Sequence, residues 1–277
     1  MKIYDCFTFF NELDLLEMRL NILKDDVDKF ILVEGEKTFQ GKEKEMIFEK
    51  NKSLFKDFAD KIIYIPVKKE EFVPNAWQNE AYTFNKMSEG LKSCEEEDIV
   101  LISALDEIPK PELLKEIKHK NLLNIIKIDE IKEAHLEMKL FYFYLNTKYK
   151  EINFSNKSSW IGTYLTKYKY ISSEKNLYEK AIKRRRLSPV ITNCGWHFSF
   201  LGDEKQNITK INSYSHSEFN HLKQEEIKKN IENLKDPLSR TNDANQTVFD
   251  GFEPLELLPQ YIQENKEKFS KYIREQK

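Results

Sequence analysis

Apolar and polar positions follow two rhythms along this chain. Apolar runs occupy residues 3–7, 29–34, 61–67 and 98–103, each bounded by charged or turn-forming residues, and they predict four short buried strands. Between them the spacing is helical. Leu13, Leu16 and Leu20 fall at i, i+3 and i+7, behind Asn11-Glu12-Leu13-Asp14, which reads as an N-cap with an acidic residue three positions on. Further helices are predicted over 46–58 and 77–92. Strands alternating with amphipathic helices predict an α/β architecture, a Rossmann-type mostly parallel sheet covered on both faces. Ligands of such sheets bind beyond the carboxyl ends of the strands, which directs attention to Asp5, Glu34 and the segment after Ser103.

From residue 111 the pattern is less regular. A helix over 111–120 opens on proline, an aromatic strand spans 136–144, and further strands are predicted over 164–170 and 190–200. Charged helices over 223–234 and 255–275 close the chain. No repeat or long linker interrupts it. We therefore expect one domain, with residues 1–110 as a nucleotide-binding half and 111–277 as a mixed acceptor or capping half.

Composition narrows the class. With 277 residues, 40% of them hydrophobic and 13% aromatic, the chain can bury a large core, which excludes collagen, disordered tails and miniature disulfide scaffolds. Forty-five basic residues against 47 acidic give a net charge of -2, so no global field draws the molecule onto nucleic acid or an acidic membrane. Any anion must be held by a local site. Cys6, Cys94 and Cys194 form no C-x-x-C pair and fit reduced thiols of a cytoplasmic protein. No apolar run approaches the ~20 residues of a membrane span, and Met1-Lys2-Ile3 leads directly into strand sequence, so neither an anchor nor a signal peptide is expected. The five N-x-S/T sequons, at Asn51, Asn153, Asn156, Asn207 and Asn245, read as chance products of an Asn-rich composition. Glycine is scarce, with seven in the chain, and Gly35, Gly41, Gly195 and Gly202 sit at strand ends or turns, where they point to a pocket rim.

Three segments could carry chemistry. Ile102-Ser103-Ala104-Leu105-Asp106-Glu107-Ile108-Pro109 is a buried strand ending in adjacent carboxylates, suited either to a hard divalent cation shared with phosphates or to a helix cap with solvated acids. Asn193-Cys194-Gly195-Trp196-His197-Phe198-Ser199-Phe200, followed by Lys210-Ile211-Asn212-Ser213-Tyr214-Ser215-His216-Ser217-Glu218, holds two of the five histidines. Trp196 there could stack on a sugar or base and Glu218 could act as a general base, while a histidine among aromatics can equally be a packing residue. The basic run Lys183-Arg184-Arg185-Arg186 is either a solvated surface or a clamp for a diphosphate.

Several of these blocks, taken together, carry a resemblance. Tyr4-Asp5-Cys6-Phe7 with Asn11-Glu12-Leu13-Asp14-Leu15-Leu16-Glu17-Met18-Arg19-Leu20, Val27-Asp28-Lys29-Phe30, Thr38-Phe39-Gln40-Gly41-Lys42, Asp106-Glu107-Ile108-Pro109 and Gly195-Trp196-His197-Phe198-Ser199 resemble, in order, glycosyltransferase family 17. That is the family of the β-1,4-mannosyl-glycoprotein β-1,4-N-acetylglucosaminyltransferases. The resemblance implies a GT-A-like fold, a UDP-sugar donor such as UDP-N-acetylglucosamine, a saccharide acceptor, Mn²⁺ or Mg²⁺, and inverting transfer. Under it, Asp106 is the expected metal ligand, with His216 or His197 as a further one. Asp5, Glu34, Asn85, Asp106, Arg186 and Trp196 are expected around the donor, with Glu107, Glu218 and His197 as catalytic candidates. The sequence does not choose the base. The family pattern at the strand end is close to S-D-x-D-E-I-P, whereas here Ala104 replaces the first aspartate, and a basic residue expected near Phe84 is missing. A natural variant, a non-catalytic nucleotide-sugar or glycan-binding relative, and a deliberate substitution all fit that departure. A sugar nucleotidyltransferase is the rival enzyme, but its glycine-rich phosphate loop has no counterpart in Phe7-Thr8-Phe9-Phe10. The expected setting is a cytoplasmic enzyme, or one peripheral at the inner membrane face, acting on a lipid-linked or surface-polysaccharide precursor.

Overall fold

A computed structural model describes residues 1–119, 127–148, 159–238 and 249–275. Four parallel strands form its first half: β1 (Ile3–Phe9), β2 (Lys29–Gly35), β3 (Ile62–Val67) and β4 (Ile99–Ala104), in the spatial order β4-β1-β2-β3. Helices α1 (Leu13–Leu23), α2 (Ile47–Asn51) and α3 (Ala76–Asn85) connect or flank them, and α4 (Pro111–Lys118) opens the second half. The second half is mixed, as expected. β5 (Glu107–Pro109) leaves the main sheet path to pair antiparallel with β9 (Val190–Ser199). β6 (Glu133–Tyr142) lies parallel to β9 and antiparallel to β8 (Ser159–Lys167), and β8 runs antiparallel to β4. The short strands β7 (Thr147–Lys148) and β10 (Gly251–Phe252) complete a sheet that is continuous from β10 to β3.

Side chains alternate across this sheet with a period of two, which sorts them into two cores. Ile3, Phe7, Phe30, Leu32, Ile99 and Leu101 face α1 and the C-terminal segment, whereas Tyr4, Cys6, Ile31, Val33, Val100 and Ile102 pack against Phe84, Met87 and Leu91. Each fully buried Leu, Ile or Phe contributes about 1.5–3 kcal/mol relative to exposure, so both faces drive folding. A third cluster joins Tyr142, Phe143 and Phe200 to Ile211 of α5 (Glu204–Ile211) and Ile227 of α6 (Gln224–Glu232).

Several boundaries differ from the sequence pattern for identifiable reasons. Helix α1 is preceded by Glu12 as its cap residue, without a side-chain cap bond, and Asn11 lies outside it. The helical stretches after α2 and α3 tighten into 3₁₀ turns over Lys52–Phe58 and Lys86–Ser93. The expected helix over 255–275 is divided into 3₁₀ turns at Leu255–Leu257 and Ser270–Tyr272 around Gln260–Glu264. Pro259 holds Leu258 in extended backbone and so ends the first piece. Of the sequons, Asn153, Asn156 and Asn245 lie outside the described residues, and Asn207 is buried with its amide donating to the Gly202 and Asp203 carbonyls. No helix among the described residues is long and apolar enough to cross a membrane.

Candidate active site

A cavity of about 450 Å³ opens beyond the carboxyl ends of β1, β2 and β4, where the parallel-sheet rule places ligands. Its floor is the turn Ala104-Leu105-Asp106-Glu107 between β4 and β5. Arg19 builds that turn from below. Its guanidinium is fully buried, pairs both nitrogens Nε and Nη2 with the Asp5 carboxylate at 2.8 and 2.6 Å, and donates to the Ala104, Leu105 and Glu107 carbonyls at 2.9–3.0 Å and to Ser103 Oγ at 2.7 Å. Only arginine offers a planar fork with enough donors for one carboxylate and three carbonyls.

The turn presents two carboxylates. Asp106 accepts from Lys210 Nζ at 2.9 Å and lies 3.5 Å from His197 Nε2. Its burial by itself would raise its pKa, but Lys210 and His197 outweigh that and hold the carboxyl well below the usual range. Lys210 is likewise desolvated, yet Asp106 and Glu12 hold it charged, with its pKa raised. It stands in the last turn of α5, where the negative end of the helix dipole favours a cation. Glu107 accepts from Trp160 Nε1 at 2.6 Å and from the Ala104 amide at 3.4 Å, with Arg185 Nη1 4.0 Å away. Pairing of Glu107 opposite His197 across β5 and β9 sets these groups side by side. Gly195 makes that pairing possible, because a Cβ there would stand 2.3 Å from the Ile108 carbonyl oxygen.

The lining also includes Glu80, Trp77, Phe84, Tyr178, Lys183, Arg185 and His216. Glu80 accepts from Tyr178 Oη at 3.0 Å and is also bonded to Ser215; burial pushes its pKa upward, and these two hydrogen bonds offset only part of that. The Arg185 guanidinium lies 4.9 Å over the Trp160 ring, and the Lys183 ammonium 5.2 Å over Trp77. Gln40, in the connection after β2, donates to the Ile211 and Tyr214 carbonyls and so ties that connection to the end of α5.

The structure gathers Asp106, Glu107, His197 and His216 around the cavity and places the remaining expected residues elsewhere. Asp5 lies mid-strand, because β1 continues to Phe9, and its side chain points to the α1 face under Arg19. Glu34 is fully buried, receiving the Ile47 and Phe48 amides, Lys44 and Tyr64, and so anchors the start of α2. Asn85 accepts from the Tyr178 amide. Trp196 points the opposite way from His197 along β9 and belongs to the α1-side core. Arg186 is exposed, and its neighbour Arg185 occupies the cavity instead. Glu218 is spent on His216 Nδ1 at 2.6 Å and does not line the cavity. Sequence reading missed Glu80, Trp77 and Trp160, and it included Lys210 in a candidate segment without giving it a role. Their strands and helices are remote in the chain, and single charged or aromatic residues on amphipathic segments carry no local signal.

A divalent cation needs several oxygen ligands around one point. Here Asp106 is engaged by Lys210 and His197, Glu107 by Trp160 and a backbone amide, and His216 by Glu218, while Ala104 supplies no ligand. No group of three His, Cys, Asp or Glu residues among the described residues is placed to hold a metal. This donor set does not fit the expected Mn²⁺ or Mg²⁺.

Comparisons with known proteins place this chain in a family. No curated protein matches the chain significantly. Among solved structures, the chain is similar to S. aureus TarS residues 1–349, at 12% identity over 76% of this chain and 63% of that one, with a TM-score of 0.39. The alignment thus spans under two thirds of the TarS chain. It is also similar to Francisella tularensis 2-C-methyl-D-erythritol 4-phosphate cytidylyltransferase (12% identity, 70% and 91% covered, TM-score 0.39) and to the inositol-1-phosphate CTP transferase from T. maritima (15%, 72% and 86%, 0.38). The profile of glycosyltransferase family 17 matches residues 1–273, and on that near-complete match the chain belongs to glycosyltransferase family 17.

Proposed function

We propose that this glycosyltransferase transfers a sugar, N-acetylglucosamine in the first instance, with inversion from a UDP-sugar to a glycan or lipid-linked saccharide. The observation that carries the reading is one cavity, at the ends of the parallel strands, where an apolar wall, a basic group of Lys183, Arg185 and Lys210, and the Glu80 carboxylate, held by Tyr178 and Ser215, converge. Phe72 and Phe84 suit a nucleobase, the cations suit a diphosphate, and Trp77 and Trp160 suit pyranose rings. The acceptor hydroxyl attacks the anomeric carbon from the face opposite the diphosphate, its proton passes to a carboxylate, and the C1–O bond breaks with its electron pair leaving on the diphosphate. Glu80 is the base we assign. It lines the cavity, which Glu218 does not, and burial raises its pKa, which makes it a stronger proton acceptor than an ordinary glutamate. The β1–α1 connection has no glycine, which weighs against a nucleotidyltransferase phosphate loop. The acceptor we envisage is a lipid-linked or surface-polysaccharide precursor at the inner membrane face.

Titration calorimetry of UDP, UDP-N-acetylglucosamine, UDP-glucose and GDP-mannose tests the donor class. Failure of every UDP species to bind would overturn the reading. Removing a general base typically costs ~10²–10⁴-fold in rate, so Glu80→Gln should lose that much transfer or donor hydrolysis while keeping UDP affinity within about threefold.

A further inference from the structure

We infer that Lys210, seated on Asp106, takes the place of a divalent cation in this enzyme, so that the donor diphosphate is bound and released without metal. The inference rests on the nucleotide-sugar reading above and specifies how that site handles charge. Of the two aspartates in the family's S-D-x-D-E-I-P pattern this chain retains Asp106, and both of its oxygens face cationic or N–H groups: Lys210 Nζ at 2.9 Å and His197 Nε2 at 3.5 Å. An ion coordinated to Asp106 would have to displace the lysine or share the carboxylate with it. The second ligand position is Ala104, whose side chain lines the cavity beside them. Lys210 is itself part of the cavity lining, half-shielded from water, with Glu12 3.7 Å away on its other side. An ammonium has three donors. With one directed to Asp106, it retains N–H groups for an incoming phosphate, and Arg185 adds a fork for the second.

Two carboxylates hold the lysine protonated and in place, and when the C1–O bond breaks the electron pair left on the diphosphate meets Lys210 and Arg185. No proton transfer is needed at the leaving group. The loss of the first aspartate and the presence of Lys210 become one change: without Lys210, Ala104 would leave the diphosphate uncompensated, and with an aspartate at 104 the lysine would be held by a further carboxylate.

The test is UDP binding by calorimetry in EDTA and in saturating Mn²⁺, on the full chain and on Lys210→Ala and Lys210→Arg, with uridine as a phosphate-free ligand that reports an intact pocket. The expected result is UDP binding in EDTA that Mn²⁺ tightens less than twofold, an at least tenfold loss in Lys210→Ala with uridine affinity unchanged, and retention within threefold in Lys210→Arg. UDP binding that needs Mn²⁺ overturns this inference and leaves the nucleotide-sugar reading standing. Undiminished UDP binding by Lys210→Ala does the same. No UDP binding under either condition overturns both. The wild-type comparison decides the matter even where Lys210→Ala fails to fold.

Discussion

Arg19 and Asp5 form an ion pair with both side chains at 0% exposure, a costly arrangement whose justification is the shape it gives to residues 103–107. Replacing one member of a buried pair strands the other, at about 3–5 kcal/mol. Arg19→Ala should lower the urea midpoint by that equivalent, and Arg19→Lys should restore little, because an ammonium cannot grip Asp5 at two points while holding three carbonyls. His135 offers a different residue-scale prediction. It is buried, with Nε2 on the Ala181 carbonyl, and burial pushes its pKa down from 6.5 to about 4. As pH falls, the unfolded chain takes up this proton first, so the unfolded state gains stability below pH 6.5 and the loss levels off near pH 4. The full effect is on the order of 3 kcal/mol. Chemical denaturation across this window should show a steeper acid loss for the wild type than for His135→Gln, and equal slopes would remove the assignment.

At the scale of elements, the β5–β9 ladder decides which groups meet. Gly195 opposes Pro109 in that ladder with no room for a side chain, since backbone atoms of Ile108 and Pro109 stand 2.3–3.1 Å from a Cβ position. Backbone cannot swing aside as a flexible side chain can. Gly195→Ala should cost about 1–3 kcal/mol or more by overpacking, and should displace Glu107 and His197, so donor affinity should fall along with the thermal midpoint. A variant with unchanged stability and unchanged binding would show that the pairing is not what holds the site. Gly162 plays a related part on β8, where a Cβ would come within 3.0 Å of the Glu107 carboxyl carbon. Of the four glycines that the sequence placed at a pocket rim, Gly35 lines the cavity and Gly195 serves close backbone packing behind it, while Gly162 was not among them.

For the molecule as a whole, the sheet and the larger core run through both halves. That core includes Phe7 and Leu32 of the first half with Phe198, Ile262 and Phe269 of the second. Tyr261 and Tyr272 further bond Glu17 and Asp14 of α1. We therefore predict one cooperative transition, with near-ultraviolet and far-ultraviolet circular dichroism unfolding coincidently in urea; separated transitions would divide the chain at the nucleotide-binding half.

The strands of the parallel half, their order of alternation with helices, the motif blocks and the importance of the 103–109 and 193–218 segments were legible in the sequence, because period-two and period-3.6 patterns are local. So was Asp106. Which face each residue occupies was not. Register decides whether Trp196 or His197 meets the cavity, a one-residue step decides between Arg185 and Arg186, and the length of β1 turns Asp5 from a strand-end candidate into the partner of Arg19. Glu80 and Lys210 are brought to the same cavity from helices far apart in sequence. Local patterns fix the elements because they follow from backbone geometry and side-chain burial, while the pairing of charges across the cavity depends on how those elements pack, which only the tertiary structure decides.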